Sequence, residues 1–551
     1  MSRFLTLLLL VLLAACQQPT HYDVIIRNGM IYDGSGNKAF QADLAIQQDT
    51  IAFIGDLSDA QATNDIDATG LAVAPGFINM LSWADRSLLM EGLSMSDIKQ
   101  GVTLEIFGEG WSPGPVKREE VATREKLPDS LWTTLDGYLR YLTQKGVSPN
   151  VASFVGHTTV RNYVMGYDNR AATPQELEQM KELVREAMEE GAFGLGTSLI
   201  YAPANYAPTE ELIALAKVAA EYKGMYITHL RSESDFILQS LNETFRIASE
   251  ANIPAEIYHL KINHERNWNK IDTVLYKIDS AQKAGLTITA NMYPYAASNT
   301  SLLARLPTWV QEGGAREMRK KLRTPAIRKK VLQEMRLGIP SKNSDPKDVM
   351  ILGFREDSLN TLYSGKRLDE VAQLHGKDAD ETLIDLLLVD KSPAAGVYFL
   401  ISEENMKRML QLPYVTFGSD GASMSDAKVF EDFGLVHPRT YGTFARVLGK
   451  CVREDSLFTL ENAIHRLSGL PASRLHLHKR GILTEGNFAD LVLFNPLTVQ
   501  DHATFTEPHQ YASGVAHVFV NGKQVLANGA HTGATPGRII RNSAIKQHYK
   551  P

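Results

Sequence analysis

The chain has 551 residues, is 44% hydrophobic and 22% charged, and carries a formal net charge of −6. That balance allows one large core and a smaller one, and the net negative charge argues against a nucleic-acid partner, which would usually show a basic face. With only Cys16 and Cys451 in the chain, a disulfide framework is excluded as well.

The N-terminus reads as a targeting segment. Arg3 precedes an apolar run from Leu5 to Leu13, followed by Ala14-Ala15-Cys16. This run is shorter than the roughly 20 residues of a transmembrane helix, and its order is that of a signal peptide. The Leu13-Ala-Ala-Cys16 ending resembles a bacterial lipobox, which makes Cys16 the lipid-bearing first residue and its anchor to the membrane. Gln17, where an Asp would signal inner-membrane retention, favours the outer membrane, facing the periplasm. Ordinary cleavage near Ala15 with a free Cys16 is the alternative.

Residues 22–73 alternate short β-like runs with turns, and Asn28-Gly29 reads as a hairpin signal. Residues 484–545 repeat that style in Ala489–Phe494 and Val515–Val525. A small β-sandwich domain built from both chain ends is expected. From 74 to 483 the pattern changes to short buried-strand runs alternating with amphipathic helices such as Pro174–Glu190 and Glu210–Tyr222. Repeated βα units over this length predict an α/β fold, a TIM (β/α)8 barrel. The charged stretch near 303–348 breaks the rhythm and reads as an insertion, with the Arg/Lys cluster of 316–330 on a solvated helix face. Cys451 reads as a buried core thiol.

The chemistry-bearing residues close strand-like runs. Thr228-His229, Tyr258-His259 and Gly418-Ser-Asp420-Gly each follow an apolar, β-branched run, and strand ends form the catalytic rim of a barrel. Two imidazoles and a carboxylate on one rim are the ingredients of metal-assisted hydrolysis. Gly418 and Gly421 are expected to make a tight turn that exposes Asp420. His157, ending Val155-Gly-His, is a candidate to touch substrate, and His264 lies in a loop with little signal.

Taken together, Pro75-Gly-Phe-Ile, Gln100-Gly-Val-Thr, Thr228-His-Leu-Arg, His259-Leu-Lys, Tyr293-Pro-Tyr, Gly418-Ser-Asp-Gly, His437-Pro-Arg and Gly486-Asn-Phe-Ala-Asp-Leu-Val resemble, in order and spacing, the N-acyl-D-amino-acid deacylase (D-aminoacylase) family of the amidohydrolase superfamily. The resemblance covers nearly the whole mature chain. It implies a zinc site with His229 and His259 as ligands. Glu109, in Gly108-Glu-Gly110, falls where the family has a Cys ligand, and carboxylate is an acceptable zinc ligand. Glu105 is a rival placed in mid-strand. Asp420 matches the proton-handling Asp, while Lys261, Tyr293 and Arg439 match positions that hold the substrate carboxylate.

One departure stands out. The first barrel strand of the family runs into His-x-His, whereas this chain has Leu81 and Trp83 there. Neither can ligate a metal, so one divalent metal, zinc, is expected, with Leu81, Ser82 and Trp83 at the pocket floor. The implied activity is hydrolysis of a small N-acyl amino acid, most simply an N-acyl-D-amino acid. The alternatives are another amidohydrolase acting on cyclic amides or dipeptides, or a non-catalytic periplasmic binding barrel.

Overall fold

The computed structural model describes residues 21–118, 132–337, 344–390, 394–426 and 428–542. The N-terminal segment that reads as a signal peptide, with Cys16, lies outside the described residues. The chain begins in β1 (His21–Ile31), β2 (Phe40–Gln47), β3 (Thr50–Gly55), β4 (Gln61–Asp67) and β5 (Ala72–Pro75). Ile26, Ile31, Leu44, Ile46 and Ile51 from these strands share a core with Leu491, Leu493 and Phe519 from the far end of the chain. Asn28-Gly29 makes no hairpin. It lies inside β1, where the register against β2 shifts between Ile26 and Gly29 and Asn28 takes φ 58°. The same tolerance of left-handed backbone that suits Asn to a turn suits it to a bulge.

The barrel follows: β6 (Phe77–Asn79), β7 (Val102–Phe107), β8 (Asn150–Ser153), β9 (Val155–Gly156), β10 (Gly194–Ser198), β11 (Met225–His229), β12 (Ala255–Ile257) and β13 (Ile288–Met292). β8 and β9 are halves of one barrel strand, broken at Phe154, with β8 on β7 and β9 on β10. Thr173 and Glu176 cap the helix Pro174–Glu189 reciprocally and Pro174 opens it; this helix and Thr209–Glu221 match the predicted pair closely.

Beyond β13 an inserted layer contains β14 (Ser298–Ser301), β15 (Val349–Gly353) and β16 (Ala395–Tyr398), an antiparallel sheet in the order β14-β16-β15. It has its own core, including Leu302, Leu322, Val331, Ile351 and Leu383. The insertion is therefore wider than the 303–348 expected from sequence. It opens with β14, a polar Ser-Asn-Thr-Ser run without alternation that is a strand only through its pairing with the distant β16, which also pairs with β15. The basic cluster spans two helices, Gly314–Arg323 and Pro325–Leu337, which turn Met318, Leu322 and Val331 inward.

The last barrel strand, β17 (Val415–Phe417), pairs in parallel with β13. The ring closes where Met80 N donates to Phe417 O at 3.2 Å and Asp420 N donates to Leu81 O at 2.8 Å. The chain then returns to the first sheet through β18 (Leu491–Phe494), β19 (Val515–Val520), β20 (Lys523–Ala527) and β21 (Ala530–His531). β18 pairs with β5, so the two chain ends complete one sheet that passes directly into the barrel at β6. Cys451 is a buried thiol, as expected.

Candidate metal-dependent active site

A cavity of about 570 Å³ opens at the C-terminal rim of the barrel, between the strand ends and the inserted layer. β7 delivers Glu109, β11 delivers His229, and the turn after β12 delivers His259. His229 Nδ1 lies 2.9 Å, and His259 Nε2 3.0 Å, from the same oxygen, Glu109 Oε1. Ligand atoms of these three buried side chains all fall within 4.8 Å of one another. Two imidazole nitrogens and a carboxylate converging beside a cavity fit a divalent ion that keeps an open position. Glu105 is not part of this group. It is fully buried, accepts from Asn79 Nδ2 at 2.9 Å, and burial raises its carboxyl well above the usual range.

The electrostatics favour a cation. Burial alone would raise the Glu109 carboxyl; the charges and hydrogen bonds of His259 and His229 reverse this and hold it below the ordinary range. A carboxylate absent from the sequence reading stands on the far side of both rings. Glu233 Oε1 lies 3.1 Å from His259 Nδ1, and Oε2 lies 3.6 Å from His229 Nε2. Glu233 also accepts from Lys261 Nζ at 2.6 Å, and Lys261 Nζ lies 2.7 Å from His259 Nδ1. Lys261 lines the cavity, but its ammonium is engaged behind His259 rather than free for a substrate carboxylate. Glu233 follows His229 by four residues on a loop, where no periodicity marks it; only its contacts with both rings reveal its role.

Asp420 stands beside this group, across the Trp83 indole N–H from Glu109. Its Oδ2 pairs with Arg439 Nη1 at 2.8 Å, and its Oδ1 accepts from Trp83 Nε1 at 3.1 Å. Burial raises its carboxyl against the pull of Arg439, and the neighbouring Glu109 charge adds to the rise. Asp420 itself takes the left-handed backbone, φ 48°, and His259 does the same at φ 34°. Non-glycine residues held there cost on the order of 1 kcal/mol or more and cluster at functional sites. Gly418 and Gly421 therefore serve close approach rather than a turn of their own. A Cβ on Gly418 would lie 2.7 Å from Leu81 Cβ, and one on Gly421 would lie 2.8 Å from Thr440 Oγ1.

Arg439 stacks on Tyr293, its guanidinium 4.5 Å from the ring centre. Arg439 Nε and the Tyr293 hydroxyl are buried with no hydrogen-bond partner among the described residues. Two unsatisfied donors beside a cavity provide a place for an anionic or carbonyl oxygen. The other expected floor residues divide. Trp83 lines the cavity, but Leu81 packs into a core with Ile78, Leu104 and Ile106. The Ser82 hydroxyl accepts from Ala84 N instead of facing the cavity. His157 does not reach the site either. It is fully buried at the start of a helix, 2.9 Å from Glu211, which also pairs with Arg161. A strand-ending His and a helix-opening His look alike in sequence. Tyr201 and Arg305, two further lining residues, carried no sequence signal.

A parallel barrel whose rim gathers two imidazoles and two carboxylates around one cavity has the architecture of a metal-dependent hydrolase. The Amidohydrolase family profile matches residues 65–526. The D-aminoacylase of Alcaligenes xylosoxydans xylosoxydans is 35% identical over 95% of this chain and 98% of its own. A solved D-aminoacylase structure, described as having a binuclear metal centre with one-metal activation and second-metal attenuation, superposes with a TM-score of 0.78 at 31% identity, covering 94% of this chain and 100% of that one. The N-acyl-D-glutamate deacylase of Bordetella bronchiseptica, solved with zinc and a phosphonate mimic of the tetrahedral intermediate, gives 0.78 at 30% identity over 95% of this chain and 100% of that one. The chain belongs to the amidohydrolase family, in its D-aminoacylase branch.

Proposed function

We propose that this chain hydrolyses the amide bond of N-acyl amino acids, with N-acyl-D-amino acids as the substrate class and zinc as the metal. The observation that carries the reading is the convergence of Glu109, His229 and His259 beneath a cavity where Asp420 and the unpartnered donors of Arg439 and Tyr293 meet. Glu109, His229 and His259 would hold a divalent ion, which when bound would supply Lewis acidity toward the amide carbonyl and lower the pKa of water.

The protein's own groups do the rest. Arg439 Nε and the Tyr293 hydroxyl donate to the substrate carboxylate and fix the amide over the three ligands. Asp420, its carboxyl raised by burial, accepts the proton of the attacking water and returns it to the leaving nitrogen. Arg439 contacts Asp420 as well as the space for substrate, so correct binding and the proton shuttle are aligned by one guanidinium. Residues of β14, among them Asn299 and Thr300, line the cavity from the inserted layer.

The test is a hydrolysis screen of N-acetyl D- and L-amino acids with zinc-loaded protein, read with its metal content. The reading expects turnover of D-configured substrates, loss of turnover on chelation, and about one zinc per chain. Absence of turnover across the series in a zinc-loaded, folded protein would overturn it. We propose further that the protein is anchored by lipid in the cell envelope, a location that the Leu13-Ala-Ala-Cys16 motif supports. Among the described residues no helix is long and apolar enough to cross a membrane.

A further inference from the structure

The His-x-His segment of this branch is replaced here by Leu81-Ser-Trp83, and the two altered positions part company in space. Leu81 is buried in the barrel core. Trp83 turns into the cavity, and its indole N–H points between two carboxylates, 2.9 Å from Glu109 Oε2 and 3.1 Å from Asp420 Oδ1. Glu109 thus uses its two oxygens differently: Oε1 faces the imidazoles of His229 and His259, and Oε2 faces the indole.

We propose that the Trp83 indole N–H is a positioning group that does the structural work of a second cation. It joins the ligand carboxylate of Glu109 to the proton-handling carboxylate of Asp420. This inference rests on the metal reading above and goes beyond it, because it explains how a one-metal site keeps its shuttle in place.

The physical problem is plain. Two carboxylates meet in a buried space, where like charges repel strongly. A donor shared by both draws them together without adding a ligand. Arg439 holds only the other oxygen of Asp420, Oδ2, and leaves Oδ1 to the indole. The backbone places the indole firmly. Trp83 N donates to Gly421 O at 2.9 Å, and Ser82 bridges Gly421 in parallel register. The strand end that bears Trp83 is therefore stitched to the turn that bears Asp420. The replacement also denies a second ion its ligands, since an indole N–H is a donor only and Leu81 has no donor atom to offer.

The experiment compares zinc-loaded wild type with Trp83→Phe, which keeps an aromatic ring and loses the N–H. Zinc per chain should stay near one in both, because the three ligands remain. The kcat should fall about 10- to 100-fold, the weight of hydrogen bonds to charged groups, with KM changed less than about threefold. The pH profile of kcat should shift as well, which a loss of mere packing would not produce. A second readout needs neither turnover nor a stable variant at position 83. With nitrogen-15-labelled tryptophan, five indole N–H signals are expected from the five Trp. The one belonging to Trp83 should move in Asp420→Asn while the other four stay in place.

Two zinc ions per wild-type chain would overturn the proposal, as would a Trp83→Phe protein with native kcat and pH profile. Five unmoved indole signals in Asp420→Asn would overturn it too. Wild-type protein that binds no zinc would sink the metal reading instead, and the indole signal would still decide whether Trp83 links the two carboxylates.

Discussion

Asp420 and Arg439 form a buried ion pair, 2.8 Å from Oδ2 to Nη1, at the mouth of the barrel. The pair joins the group that handles protons to a group that faces the substrate space. It also explains why Arg439, which looks like a surface residue in the sequence, is almost fully enclosed: it lies between Asp420 and the face of Tyr293.

The first prediction concerns the shuttle. Asp420→Asn should lower kcat by roughly 10²–10⁴-fold, the usual contribution of a general acid–base group. Asn tolerates the left-handed φ of 48° that Asp420 adopts, so the turn should survive. Metal content and KM should change little. Near-native turnover with metal intact would remove Asp420 from the mechanism, and loss of the metal would recast it as a ligand.

Glu233 gives a second. It stands behind both imidazoles and holds Lys261 there, the arrangement by which an outer carboxylate orients metal-binding histidines. Glu233→Gln should weaken zinc affinity by about 10- to 100-fold, with turnover recovering at high zinc. Competition with a chelator of known affinity measures this directly. An unchanged zinc affinity would make Glu233 only a partner for Lys261.

The pH dependence of stability has its own source in a buried pair of acidic residues. Asp97 and Glu105 are both buried; burial pushes the Asp97 carboxyl up to about 7 and raises Glu105 well above its usual range. With the folded pKa above the unfolded one, the folded state binds more protons between roughly pH 4 and 7, and stability falls as pH rises through that window. Asp97→Asn should flatten the slope. Thermal denaturation at pH 5 and pH 8 checks this: the difference in Tm should shrink in the variant, and a slope equal to wild type refutes the assignment.

Anchoring provides the last. Cys16→Ser should yield protein without lipid that leaves the membrane fraction. If the variant still sediments with membranes and the native chain carries no lipid, ordinary signal cleavage is the correct account.

The sequence by itself determined the alternation of strands and helices, the β unit built from both chain ends, and His229, His259 and Asp420 as residues that close strand-like runs; Glu109 was legible only through the family resemblance. Those features are local: an apolar run that ends in a polar residue is the pattern expected at a barrel rim. What the tertiary structure alone decided was which side chains share a space. Leu81 and Trp83 occupy equivalent places in the motif, yet one enters the core and the other the cavity. His157 ends a strand-like run as His229 does, yet it is sealed against Glu211. Glu233 gave no signal, because its meaning depends on its contacts with two rings. Periodicity reports which face of an element is buried. It does not report what that face meets, and chemistry at a site depends on distances of about 3 Å between residues more than a hundred positions apart.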